Sequence, residues 1–256
     1  MRVPAIILIS LLAAGIVAED AVCPDVATIQ KKIQQAQPAR GARTASFNQP
    51  VPEALYERAI AEPGKAFSKR DGNKMTGVML VPMAADRLWR AINDEPHAEE
   101  FLPVNYSTVI EGAARSSDRV LFQYVKKAGL GRWWASRIRI NAKLHEVSEG
   151  RLWEMSWVDW MDEVDRTKPP IRDIADDLKP IVESKGAWLL MPVSESCTLA
   201  EHYSESEAGG ALGALQVLVA SGAIRDTLNG VKRMAEEHRC PADESAPFHG
   251  PDGKSK

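Results

Sequence analysis

The short motifs of catalysis and metal binding are largely missing from this sequence. Its 256 residues hold no Cys-x-x-Cys or His-x-x-x-His pair, so the close ligand sets zinc requires are absent and no metal is expected. No Gly-x-Ser-x-Gly elbow occurs, which removes the usual support for a nucleophilic serine. Gly129-Leu130-Gly131 opens no helical pattern and cannot cradle a dinucleotide phosphate, so no cofactor is expected. Lys and Arg number 32 against 35 Asp and Glu, without a basic block, so nucleic acid is not an expected partner. No apolar run reaches the roughly 20 residues that a membrane-spanning helix needs. Internal repeats and low-complexity tracts are also lacking. The composition, 45% apolar and 26% charged, is that of a folded globular chain rather than a disordered one.

What the chain does have begins at its first residues. Met1-Arg2 leads into the uncharged run Ala5–Val17 and then Ala18-Glu19-Asp20. A positive start, a short apolar stretch and a small residue before acidic ones describe a secretory signal peptide over residues 1–18. The mature chain is then expected to begin near Glu19, in the periplasm or outside the cell; an uncleaved signal anchor is the alternative. Three cysteines suit an oxidising compartment. Cys23 follows the signal and Cys240 follows the last helical pattern, both before proline and both outside the strand-rich part. Cys23–Cys240 is therefore the expected disulfide, with Cys197 a buried free thiol inside a strand.

Residues 24–65 read as short helices and a polar linker that pack on the outside of a main domain over residues 66–239. Residues 240–256 read as a flexible tail. In the main domain, Asp71-Gly72-Asn73 joins Ala66–Arg70 to the strand Lys74–Met83. Helical Ala84–Asn93 and Glu95–Phe101 follow. Strand-like runs then extend from about Val104 to Ser206, with closely spaced turns that make an antiparallel meander. The meander is interrupted at Asp159–Lys185, where Ile174, Leu178, Ile181 and Val182 recur at helical spacing. A long insertion in a tight meander is more often functional than idle. A last amphipathic helix is expected from Gly210 to His238.

Alternation is cleanest in the strand Trp133–Val147. Trp134, Ile138, Ile140, Ala142 and Leu144 share one face, expected inward; Arg137, Arg139, Asn141, Lys143 and His145 share the other. In the next strand Trp153, Met155 and Trp157 alternate with Glu154, Ser156 and Val158, so Glu154 is expected to meet Arg137 or Arg139 on the outer surface. Leu189 and Met191 are assigned to the inner set, although Trp188–Val193 is apolar on both sides. Five histidines are present. His202, between Glu201 and Tyr203, is the one candidate for acid–base work, and a satisfied strand histidine is its ordinary reading. Core packing accounts for most of the seven tryptophans.

This order of elements resembles the START-like, or helix-grip, superfamily, an α+β fold in which a curved antiparallel sheet wraps a long C-terminal helix. Local echoes are Val78–Trp89, where Pro82 leads a strand into a helix carrying Asp86, Leu88 and Trp89, and Phe101-Leu102-Pro103. The resemblance covers roughly Lys74–His238. It implies an internal apolar cavity, an entrance beside the last helix, and a loop over that entrance at Asp159–Lys185. The cavity would be lined by Trp134, Ile138, Ile140, Met155, Trp157, Leu189, Met191 and His202, facing Leu215 and Val219 of the helix. The implied function is binding or transport of a lipid, sterol or similar apolar molecule by a monomer in transient contact with membranes. Two alternatives stand beside it. One is a cyclase- or aromatase-type enzyme, which needs polar groups such as His202, Tyr124 and Asn105 to converge inside. The other is a partner-binding domain with a filled core.

Overall fold

β1 (Phe67–Asp71) and β2 (Lys74–Val81) turn about Gly72, whose φ of +62° lies where only glycine avoids a Cβ clash. The computed structural model describes residues 22–44, 50–127, 130–175, 178–207, 213–237 and 248–256. Residues 1–18, expected to be a signal peptide, Cys240, and the side chains of Leu215 and Val219 lie outside the described residues. From β2 the sheet continues through β9 (Cys197–Glu207), β8 (Glu183–Ser194), β6 (Trp153–Asp159), β5 (Leu130–Ile140) and β4 (Asp118–Lys127) to β3 (Tyr106–Glu111). These neighbours are antiparallel, and a two-residue strand β7 (Lys179–Pro180) adds a parallel pairing to Arg132 and Trp133.

The long helix α7 (Gly213–Glu236) lies on one side of this sheet, which we term the inner face. Its second half packs with α3 (Ala85–Ile92) and α4 (Ala98–Phe101) over Met79, Val81, Leu190 and Ala200. Two glycines let it come close. A Cβ at Gly77 would lie 2.3 Å from Ile224 Cγ2, and one at Gly230 would lie 2.3 Å from the Phe101 carbonyl. This is the helix-grip arrangement.

The outer face carries two covers. α1 (Val26–Ala36), the 3₁₀ turn at Gln37–Ala42 and α2 (Glu53–Ala61) pack on Val78, Leu80, Leu189, Leu199 and Tyr203. Met161, Ile171 and Leu178, from the segment after β6, pack on Val120, Phe122, Trp133 and Ala135. That segment is therefore spent on the outside of the sheet and not held over the inner face. Its helix α6 (Ile171–Ala175) is also shorter than the spacing suggests. Pro180, which has no N–H to donate, sits in β7, and the Ile181 N–H bonds to the Trp133 carbonyl.

Other expectations need correction. β5 ends at Ile140, and residues Ala142–Val147 form the helix α5, because the Asn141 side chain caps the Leu144 N–H and good helix formers follow. Cys23 is bonded to Cys197, at a Cα separation of 5.1 Å, and not to Cys240. The bond ties the chain before α1 to the start of β9. Leu189 and Met191 belong to the outer face, where the N-terminal helices bury them; Trp188 and Leu190 are the inward pair. The last nine residues are no loose tail. Phe248 is buried in the inner core, the Trp89 indole donates to the His249 carbonyl, and His249 Nδ1 accepts from the Ser117 N–H.

Candidate functional site: the inner face of the sheet

Register places one set of side chains on the inner face. Ile140, Met155, Trp188 and His202 form one rung across β5, β6, β8 and β9, and Ile138, Trp157 and Gly186 form the next. The third rung pairs Ser136 with Asp159. Trp134 lies one step further along β5, with its indole N–H donated to Gln123 Oε1 at 3.2 Å. Of the expected lining, Ile138, Ile140, Met155, Trp157 and His202 thus share a surface; Trp134, in the same phase, packs against the outer aromatic cluster, and Leu189 and Met191 lie on the outer face.

Trp157 is held flat by its neighbour. A Cβ at Gly186 would lie 1.9 Å from Trp157 Cζ2, so the indole occupies the space that any other residue would fill. His202 sits between two indoles, 5.4 Å from the Trp157 ring and 4.4 Å edge-on from Trp188. Burial pushes the imidazole down to about 3, so it is neutral at ordinary pH. Its Nδ1 is buried without a hydrogen-bond partner, as are Ser136 Oγ and Asp159 Oδ1. Each such atom costs about 1–3 kcal/mol if nothing satisfies it. Burial, followed by the nearby Asp162, raises the Asp159 carboxyl above its ordinary range.

The central inner face is also incompletely covered. Ile140 and Trp157, packed against the inner core cluster, are only half-buried. A separate surface hollow of about 280 Å³ lies at the β1–β2 edge, lined by Ser68, Lys69, Arg70, Met75, Ile224 and Arg225. Below the half-covered zone a buried polar cluster closes the floor. Arg119 bonds Glu95 and Asn93, and Arg115 bonds Asp94 at 2.7 Å.

The outer face contains a second polar network that the sequence did not reveal. Glu201 accepts from Arg40 and from both the Tyr56 and Tyr203 hydroxyls, at 2.7 and 2.5 Å. Burial alone would raise the Glu201 carboxyl, but Arg40 and Arg43 hold it below its ordinary value. Glu154 is fully buried and bonded to Arg43, Thr44 and Asn141. Arg137 instead pairs with Asp118 at 2.7 Å. The N-terminal segment covers this part of the sheet, so Glu154 cannot remain an exposed partner of Arg137. The network straps residues 40–44 to the sheet.

The three groups that a cyclase-like chemistry would need do not converge. Tyr124 stacks on Tyr106 at 5.7 Å against the outer cluster, and Asn105 accepts from the Lys126 N–H at the exposed β3–β4 edge. His202 alone is on the inner face. Among the described residues no cluster of His, Cys, Asp or Glu could hold a metal ion, and no helix is long and apolar enough to cross a membrane.

No family model and no curated protein matches the chain by sequence. Solved structures do match its fold. The STAR-related lipid transfer protein of Xanthomonas axonopodis superposes with a TM-score of 0.51 at 13% identity, covering 69% of this chain and 94% of that one. Human STARD10 gives 0.50 at 12% identity, over 74% of this chain and 83% of its own. Human StAR-related lipid transfer protein 5 gives 0.50 at 9% identity, over 82% and 98%. With a curved antiparallel sheet, a C-terminal helix gripped on its inner face and these superpositions, the chain has the START-like, helix-grip fold.

Proposed function

We propose that the protein binds an apolar small molecule, a lipid, sterol or similar compound, between the inner face of the sheet and α7. The observation that carries this reading is the incomplete cover of the sheet centre. A solid core would bury Ile140 and Trp157, yet these stay half open while Trp133, Ala135, Glu154 and Ser156 on the opposite face of the same strands are closed to water. Removing such apolar area from water yields about 25 cal/mol per Å², so an apolar ligand laid across it stabilises the complex. The flat Trp157 and Trp188 rings and the flexible Met155 can adapt to varied shapes. The fold supports the reading by analogy with the lipid transfer proteins it superposes on. The Cys23–Cys197 bond supports a place in the periplasm or outside the cell, where disulfides persist.

The test is capture. Delipidated protein is incubated with a total lipid extract, repurified and analysed by native mass spectrometry. A discrete bound mass near one per chain is expected. Protein that emerges empty from extracts of several membrane sources would sink the reading.

A further inference from the structure

The polar rung of the inner face bears on what the ligand carries at one end, and this inference rests on the binding space proposed above. Ser136 and Asp159 are register partners on β5 and β6. Ser136 is 3% exposed, and its hydroxyl has no partner. Asp159 Oδ2 accepts from the Met161 N–H at 3.4 Å, and the Ser184 N–H also faces the carboxylate, but Oδ1 is buried with nothing bonded to it. Two unpartnered oxygens thus lie on register partners at the edge of an apolar floor.

No cation is among the groups that act most strongly on this carboxylate, and Arg132, in the same phase of β5, donates to the Gly131 carbonyl. Arg137 and Arg139 alternate to the outer face of β5 and hold Asp118 at 2.7 and 3.7 Å. Lys185 lies on the outer side of β8, paired with Glu183 and Glu205. The other charges that reach Asp159 are those of Asp162 and Glu183, both acidic. A fatty-acid carboxylate or a phosphate placed here would meet like charge in a low-dielectric setting. A protonated amine would not. Its three N–H donors suit Asp159 Oδ1 and Ser136 Oγ, and charge-assisted bonds of this kind are about twice as strong as neutral ones. On the next rung the face of Trp157 offers a second attraction for a cation.

We propose that the ligand is a cationic amphiphile, its protonated amine seated between Asp159 and Ser136 and its apolar body lying over Trp157, Ile138 and Trp188. The neutral His202 deeper in the floor then faces the body of the ligand rather than its charge.

Three probes with one tail separate the possibilities: dodecylamine, dodecanol and dodecanoate. Each is titrated at pH 7 against full-length, delipidated protein loaded with Nile red, an uncharged apolar dye. The amine is expected to displace the dye at about tenfold lower concentration than the alcohol, with dodecanoate weakest of the three. Asp159→Asn should bring the ratio of amine to alcohol near unity. Ser136→Ala should reduce it by about threefold, and serves as the second probe if the Asn variant fails to fold. Dodecanoate binding as tightly as dodecylamine, or an amine preference that survives both substitutions, overturns the proposal. A protein that binds neither Nile red nor any of the three amphiphiles overturns the binding space itself, which is a different failure.

Discussion

On the outer face of the sheet the charged side chains of Arg40, Arg43, Glu154 and Glu201 are shut away from water, whereas on the inner face Ile140 and Trp157 are left half open. A fold governed by core formation alone would do the reverse. The outer charges are tolerable because each carboxylate is met by guanidinium, hydroxyl or amide donors from the N-terminal segment or from neighbouring residues. On the inner face His202 Nδ1, Ser136 Oγ and Asp159 Oδ1 are buried without partners. The outer face holds the N-terminal segment in place, and under the proposed function the inner face takes the ligand.

Given that division, removing an outer-face charge has the largest effect on stability. Glu201→Ala leaves Arg40 and two tyrosine hydroxyls buried without their shared acceptor. It should cost about 3–5 kcal/mol, read from urea unfolding monitored by circular dichroism. Breaking the Cys23–Cys197 bond comes next. It joins residues 174 apart, so reduction, or Cys23→Ser, should cost about 2–4 kcal/mol and free the N-terminal segment to proteolysis before the sheet.

On the inner face a pH effect of smaller size is expected from His202. Its folded-state value, about 3, lies below the ordinary 6.5, so the unfolded chain takes up a proton first as the solution is acidified. Stability is therefore fully present above about pH 6.5 and falls on the way down towards pH 3. The loss should reach about 2–3 kcal/mol by pH 4.5, and His202→Phe should flatten that part of the profile. Glu201, whose value is depressed, loses its contribution at lower pH still, so the two can be separated by where the curve bends.

Much of this contrast was written in alternation, and the parts that were not have local reasons. The inner phase of β5 and β6 follows from Trp134, Ile138, Ile140, Met155 and Trp157, and the same period carries Ser136 and Asp159 onto that face. β8 gave no phase because both its faces are buried, one under α3 and the other under the N-terminal helices. Glu201 could not be recognised as a buried anchor, since its partner Arg40 lies 161 residues away and nothing local marks the pair. The disulfide failed for the same cause. Chain position put Cys23 beside Cys240, while the packing of α1 on the outer face brought it to Cys197. Ala142, read as an inward strand position, is an exposed residue at the start of α5 because Asn141 caps a helix there.

The most direct comparison of the two faces uses adjacent residues of one strand. Ala135 and Ser136 are 0% and 3% exposed, and their side chains point to opposite sides of β5. Ala135→Trp, pressed against Phe122 and Met161 in the outer cluster, should overpack it and cost about 1–3 kcal/mol or more, with lipid capture intact in whatever stays folded. Ser136→Trp should cost less than Ala135→Trp, because under the proposed function its indole enters the ligand space, and should abolish capture. Measuring melting temperature and captured lipid for this pair tests the central claim. Loss of ligand with a near-native melting temperature at Ser136, against destabilisation at Ala135, is the predicted result. Equal destabilisation of both variants, with no lipid recovered from the unmodified protein, would contradict it and leave a filled core.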